Sequence, residues 1–190
     1  PATLVPRSDT ECLVEWVLAQ QSNDTALQVA DLGTGTGAIA IALATERPRW
    51  RVHATDQCDK ALAVAKKNAS RYLTDRLSFF QGDWCDALPD QDYDVMVSNP
   101  PYIAGDDVHL KALAHEPRAA LIADDNGMAD IRCIVMQARN YLKKGGILVI
   151  EHGHQQGALV RTCFEKLGYN NVLTHRDLQG VERFCSGYWM

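Results

Sequence analysis

Leu27-Gln28-Val29-Ala30-Asp31-Leu32 runs directly into Gly33-Thr34-Gly35-Thr36-Gly37, and Ala38 to Ala44 follows with helical composition. A strand, a glycine-rich turn and a helix in that order form a building block of an open α/β sheet that holds a nucleotide-like ligand. The glycines let the ligand approach the backbone, and the new helix offers N–H groups with no partner in its own first turn. Gly33, Gly35 and Ala38 also satisfy the GxGxxG/A spacing of dinucleotide enzymes, so the turn admits a dehydrogenase. Asp31 argues the other way. A carboxylate just before the glycines repels a pyrophosphate and attracts a cationic ligand, a sulfonium or an amino group. The second strand, Arg51-Val52-His53-Ala54-Thr55-Asp56, ends in an acid about 20 residues beyond the glycines, where ribose hydroxyls are taken in either class. Asp56 therefore speaks for a nucleoside without saying which.

The second constraint is Val95-Met96-Val97-Ser98-Asn99-Pro100-Pro101-Tyr102. The apolar run predicts a strand covered on both faces, and two successive prolines forbid ladder donation and helix continuation, which places Asn99 at the strand's carboxyl end. In an open α/β sheet that edge is where ligands bind. Pro100 and Pro101 lack N–H groups, so the turn offers mainly carbonyl acceptors. With the Asn99 side-chain oxygen, two acceptors can converge on one NH2 group while Tyr102 stacks on the flat group that carries it. Such a site suits a weak nitrogen nucleophile, where positioning contributes much of the rate. The competing interpretation is a strand followed by punctuation and nothing more.

At 190 residues, 46% hydrophobic and 23% charged, the chain is predicted to be one compact domain. No stretch approaches the ~18 continuous apolar residues of a membrane span, and the N-terminus lacks a signal peptide's basic and apolar regions. A cytoplasmic protein is expected. Because it begins at Pro1 without an initiator methionine, it is expected to be a piece of a longer protein. Cys12, Cys58, Cys85, Cys133, Cys163 and Cys185 show no CxxC pair or Cys/His ligand spacing and are read as reduced structural thiols. A net charge of −5 gives no global attraction to phosphate backbones, and no local basic patch stands out.

Ser8 and Glu11 have the spacing of a capping box before the stripe Leu13, Val14, Val17 and Leu18, while Arg7 has no capping role. Asp59 to Leu73 is predicted helical, with Leu62, Ala65, Ala69 and Leu73 on one face. Leu77 to Gln81 is predicted as a strand leading into Gly82-Asp83-Trp84, where Asp83 can accept from an exocyclic amine and Trp84 can cover an adenine. A turn aspartate beside a core tryptophan explains the same residues. Ile103 to Asn126 is the least regular segment, a lid or substrate loop by position. Asp106, Asp107 and His109 within it lack a metal-ligand spacing, and no metal is expected. Met128 to Leu142 is predicted as a helix ended by Lys143-Lys144-Gly145-Gly146. Strands are predicted at Ile147 to Ile150, Asn171 to His175 and Phe184 to Trp189, and a helix at Leu159 to Leu167. Glu151-His152-Gly153-His154 looks catalytic, although a strand-end turn accounts for it more simply.

Taken together, DLGTGTG at 31 to 37, Asp56, GDW at 82 to 84, NPPYI at 99 to 103, EHG at 151 to 153 and the leading PRSDTE resemble the HemK/PrmC family of protein-glutamine N5-methyltransferases, which modify class-1 peptide chain release factors. The resemblance covers essentially the whole chain. DLGTGTG marks only the broad S-adenosylmethionine-dependent group, and NPPY is shared with adenine-amino methyltransferases; the full ordered set is more specific. It implies a Rossmann-like α/β fold: a seven-stranded, mostly parallel sheet with an antiparallel last strand and helices on both faces. It implies that Asp31, Gly33, Thr34, Gly35, Thr36 and Gly37 bind the methionine part of S-adenosylmethionine, Asp56 the ribose, and Asp83 and Trp84 the adenine side. Asn99 and the Pro100 carbonyl would hold the substrate amide beside the cofactor, with Pro101 and Tyr102 packing against it.

The family carries an additional N-terminal helical domain of roughly 70 to 90 residues that helps bind the release factor. None is present here, so residues 1–190 are expected to be the catalytic domain alone. Ser8 stands where the family often has a proline, and the segment from His109 to Glu116 is short. The expected partner is a class-1 release factor, engaged by a monomer, with no direct nucleic acid and no membrane. Three alternatives remain at this point: a ribosomal-protein glutamine methyltransferase, an adenine-amino nucleic-acid methyltransferase, which would need base flipping and a basic channel, and a non-catalytic nucleotide-binding module.

Overall fold

Residues 8–72, 75–89, 91–105, 117 and 120–190 are described by a computed structural model, for Ser8 and Asp9 by their backbone only. Along the chain these form α1 (Ser8–Gln20), β1 (Gln28–Leu32), α2 (Ala38–Glu46), β2 (Arg51–Asp56), α3 (Asp59–Ala69) and β3 (Leu77–Gln81). A 3₁₀ turn (Trp84–Ala87) precedes β4 (Tyr93–Ser98), and a single turn α4 (Asp124–Gly127) precedes α5 (Ala129–Ala138). Then come β5 (Leu142–Glu151), α6 (Gly157–Lys166), β6 (Asn170–Arg176) and β7 (Glu182–Tyr188).

The strands make one sheet in the order β3-β2-β1-β4-β5-β7-β6. Pairs from β3 through β5 are parallel, whereas β7 runs antiparallel to both of its neighbours. Alternation along the strands explains the layers. Val29, Val95, Val97, Ile147 and Val149 gather with Leu13 and Val17 of α1 and Ile39, Ala40 and Leu43 of α2. Ala30, Leu32, Met96, Leu148 and Ile150 point to the other face, with Ile131, Ile134 and Val135 of α5 and Val160 and Phe164 of α6. Both faces of the central strands are therefore covered, as their unbroken apolar runs require. Each such large side chain contributes about 1.5–3 kcal/mol by burial.

Two expectations are corrected. The helix expected over Met128 to Leu142 ends at Ala138, and Leu142 to Gly146 belongs to β5. Lysines followed by glycines resemble a helix C-terminus, but pairing decides: Leu142 lies opposite Tyr93, Lys143 Nζ reaches Asp94 Oδ1 at 2.7 Å, and Gly145 N donates to the Trp189 carbonyl. The helix expected from Asp59 to Leu73 stops at Ala69. Its buried stripe of Leu62, Ala65 and Ala69 stands, while Leu73 lies outside the described residues. Also outside them are Pro6, Arg7 and the Ser8 side chain of the expected capping box, together with Asp106, Asp107, His109 and Glu116.

The strand order doubles back between β1 and β4, and Leu32 pairs with Ser98 there. Ser98 Oγ donates to the Leu32 carbonyl at 2.7 Å. The glycine turn after β1 and the Asn-Pro-Pro turn after β4 thus leave the sheet side by side, at the crevice where such sheets bind ligands.

Candidate active site

Gly33 and Gly35 have φ of +71° and +57°, a left-handed backbone that suits glycine. A Cβ on Gly33 would meet the Trp84 ring at 2.8 Å, whereas one on Gly35 would have nothing within 4 Å. The turn is tied from behind. Thr34 N donates to the Thr55 carbonyl at 2.8 Å, and the Asn68 amide donates to the Thr36 carbonyl at 3.0 Å. Gly37 N donates to the Thr34 carbonyl at 2.9 Å.

Asp31 is wholly buried. Its Oδ2 accepts from Thr34 Oγ1 at 2.6 Å and Ala40 N at 3.1 Å; its Oδ1 has no partner among the described residues. Burial pushes its carboxyl up to about 7, opposed by those two hydrogen bonds.

Asp56, at the end of β2, spans the two turns. Its Oδ2 accepts from Gly35 N at 2.9 Å and its Oδ1 from Cys58 N at 2.9 Å. Each oxygen keeps a second lone pair for a ligand hydroxyl. Asp83 is exposed and opens the 3₁₀ turn. Thr55 Oγ1 donates to the Trp84 carbonyl at 3.0 Å, which holds the indole against Gly33.

On the β4 side, the Asn99 Nδ2 donates to Thr10 Oγ1 at 3.0 Å. Thr10 Oγ1 in turn donates to Glu151 Oε2 at 2.8 Å, and Tyr102 Oη donates to Glu151 Oε1 at 3.2 Å. Glu151 is 1% exposed. Gln156 Nε2 donates to the carbonyls of Tyr102 at 3.0 Å and Asn126 at 3.1 Å, while its Oε1 accepts from Gly153 N at 2.8 Å. Ile103 N donates to the Leu121 carbonyl at 2.9 Å, and the two ends of the irregular segment meet there.

These turns surround a cavity of about 800 Å³, part of it open to solvent. Among the predicted residues, Gly33, Gly35, Asp56, Asp83, Trp84, Asn99 and Pro101 line it. Asp31, Thr34, Thr36, Gly37, Pro100 and Tyr102 are not among the residues that line it. Gln57, Cys58, Ala61, Gly82, Pro117 and Ala120 complete the wall. Sequence reasoning gave no role to Thr10, which lies in PRSDTE, or to Gln156, and it reached Glu151 only as the acid beside two histidines, not as a partner of Thr10 and Tyr102.

His152 of EHG and the neighbouring His154 are not in the wall. His152 is buried, its Nδ1 donating to the Gly153 carbonyl at 2.9 Å and its Nε2 lying 3.3 Å from Cys185 Sγ. Burial lowers its pKa. His154 is exposed. No cluster of three potential metal ligands occurs among the described residues, nor any helix there that is long and apolar enough to cross a membrane.

The arrangement fits S-adenosylmethionine on the structure's own terms. The walls of the cavity come from the turns that follow β1, β2, β3 and β4. It has a carboxylate at the second strand end and an indole at the third, and an unpartnered buried carboxylate oxygen lies just before the glycine turn, outside the lining. Fold and crevice define a class I methyltransferase, and solved structures agree on the fold. A methyltransferase from Pyrococcus furiosus superposes with a TM-score of 0.74 at 17% identity, covering 99% of this chain and 85% of that one. The ribosomal protein L11 methylase of Lactobacillus delbrueckii gives 0.74 at 17% identity, covering 100% and 82%.

The methyltransferase small domain model matches residues 8–175. The release factor glutamine methyltransferase of Salmonella typhimurium is 50% identical over 98% of this chain and 68% of its own length. That of Coxiella burnetii is 45% identical over 96% and 66%. The chain belongs to the methyltransferase small domain family, on the branch of the release factor glutamine methyltransferases. It spans about two thirds of the length of these relatives.

Proposed function

We propose that residues 1–190 form one catalytic domain that methylates the side-chain amide nitrogen of a glutamine, in the Gly-Gly-Gln loop of a class-1 peptide chain release factor. S-adenosylmethionine supplies, when bound, a methyl group made electrophilic by its sulfonium. Gly33 and Gly35 give backbone access to the cofactor, Asp31 faces its amino group, Asp56 takes the ribose hydroxyls, and Asp83 and Trp84 receive the adenine. A cytoplasmic monomer with neither nucleic acid nor membrane as its partner completes the reading.

One observation carries the chemistry: Asn99 lines the cavity with its NH2 already given to Thr10, which leaves its carbonyl oxygen as an acceptor. A glutamine nitrogen is a poor nucleophile because its lone pair is delocalised into the carbonyl. Holding its two hydrogens on the Asn99 oxygen and the Pro100 carbonyl aims the nitrogen and favours its pyramidal form, so rate comes from orientation. Tyr102 packs against the flat amide. One proton leaves after transfer, and no side chain is assigned to take it.

The test uses the intact protein, a release factor and radiolabelled S-adenosylmethionine, with mass spectrometry of the peptide bearing the Gly-Gly-Gln loop. One methyl group on that glutamine and none on DNA is the expected result. Label on a ribosomal protein instead would move the substrate, and label on adenine would sink the protein-substrate reading. Asn99→Ala should leave cofactor affinity nearly intact and lower turnover at least ~10²-fold.

A further inference from the structure

The hydrogen bonds behind Asn99 have a direction. A carboxylate only accepts, so the Thr10 hydroxyl spends its single proton on Glu151 Oε2. Thr10 Oγ1 can then only accept, and what it accepts is the Asn99 NH2 at 3.0 Å. Turning the Asn99 amide over would set its oxygen against the lone pairs of Thr10. That arrangement is disfavoured by roughly 10- to 100-fold in population, the usual cost of an unmade hydrogen bond in a closed site. Glu151 is held in turn by Tyr102 Oη on its other oxygen. Thr10, Asn99, Tyr102 and Glu151 come from α1, the turn after β4 and the end of β5, so the direction is imposed by the fold and not by the Asn-Pro-Pro-Tyr turn itself.

We propose that Glu151, acting through Thr10, is the positioning residue that decides which end of the Asn99 amide faces the substrate, and thereby makes the site select a glutamine over a glutamate. The inference rests on Asn99 receiving the substrate amide. With its oxygen outward, Asn99 accepts from an NH2 group and opposes a carboxylate. With its NH2 outward it would do the reverse. The two side chains differ by one group of nearly equal size, so shape alone cannot separate them; an acceptor of fixed orientation can, because the wrong partner leaves buried polar atoms unpaired.

The variants are Glu151→Gln, Thr10→Val and Thr10→Ser in the intact protein. Glutamine at 151 offers an NH2 to Thr10, which frees the hydroxyl to donate to Asn99 and lets its amide turn over. Three readouts are taken: turnover on the release factor, cofactor affinity by calorimetry, and competition by a release factor whose target glutamine is replaced by glutamate. For Glu151→Gln and Thr10→Val the expected result is a loss of turnover of at least about 30-fold, with cofactor affinity within about two-fold of the parent. Thr10→Ser keeps the hydroxyl and should restore turnover to within about three-fold.

The deciding readout is competition: in Glu151→Gln the glutamate factor should gain at least about five-fold in affinity relative to the glutamine factor, a change that loosened packing would not produce. Adding Glu151→Gln to Asn99→Ala should cost little more, since both act through one acceptor. If Asn99→Ala abolishes turnover while Glu151→Gln and Thr10→Val leave turnover and discrimination unchanged, the relay is wrong and the assigned function stands. If Asn99→Ala itself is silent, the underlying role of Asn99 is what fails.

Discussion

The Trp84 indole lies against Gly33 so closely that a Cβ on Gly33 would meet the ring at 2.8 Å, while Gly35, two residues on, faces open space. The two glycines of one turn therefore do different jobs. Gly33 joins the turn to the 3₁₀ segment that carries Asp83; Gly35 keeps the cavity clear.

Gly33→Ala and Gly35→Ala should consequently differ. Both force alanine into a left-handed backbone, at about 1–2 kcal/mol each. Gly33→Ala must also push the indole aside, so its thermal midpoint without cofactor should fall further. Gly35→Ala should show the larger loss of cofactor affinity relative to its loss of stability, because its methyl group projects into the cavity. Thermal melts and calorimetry on both variants check this, and equal ratios would contradict it.

Asp31 makes stability depend on pH in an unusual direction. Its folded pKa of about 7 lies above the ordinary 3.8. Below about pH 4 it is protonated whether the chain is folded or unfolded and contributes nothing. Between there and about pH 7 the folded state holds a proton that the unfolded state has released, so stability falls as pH rises through this window and levels off above it. The cost is on the order of 4 kcal/mol. Asp31→Asn should flatten this slope in denaturant titrations from pH 5 to 8 and weaken cofactor binding. Binding of S-adenosylmethionine near pH 7 should release a proton, read from calorimetry in buffers of different ionisation enthalpy. The cause is that an ammonium beside Asp31 favours its charged form.

Gln156 fixes the backbone on the substrate side. Gln156→Glu keeps the shape but removes the NH2 that serves the Tyr102 and Asn126 carbonyls. The expected cost is about 1–3 kcal/mol of stability with cofactor affinity unchanged. Turnover should fall, since a small displacement of the turn misplaces the substrate. Unfolding curves and steady-state assays on the same preparation separate the two effects.

Much of this architecture is legible in the sequence. The run Val95 to Val97 and the glycines at 33, 35 and 37 located the crevice, because strand ends and left-handed turns leave local marks. Lys143 to Gly146 misled because its composition is that of a helix end, and only the pairing of Leu142 with Tyr93 overrides it. The network behind Asn99 was not legible at all. Thr10 looked like part of a capping segment and Glu151 like a neighbour of two histidines. Nothing local tells that a threonine hydroxyl on the first helix will lie 2.8 Å from a carboxylate at the end of a distant strand.

Trp50 offers a test of the core remote from the site. It is fully buried and its Nε1 has no partner among the described residues. Trp50→Phe gives up volume but also removes an unsatisfied donor, so its cost should stay below about 1.5 kcal/mol. Trp50→Ala should cost about 3–5 kcal/mol. Denaturant midpoints of the two variants decide.

Thr10 and Glu151 are 141 positions apart, and that separation imposes an order in time. While the chain is being synthesised, β1, α2 and β2 can pair as soon as they emerge, so the glycine turn and Asp56 come together early. Glu151 arrives only when β5 has been made and has docked beside β4. Long-range pairings of this kind form late, because loop closure costs entropy before any contact offsets it. An unfinished chain can thus own the cofactor side of its crevice while lacking a directed acceptor for the substrate. The capacity to select a target is acquired last, when the fold is nearly complete.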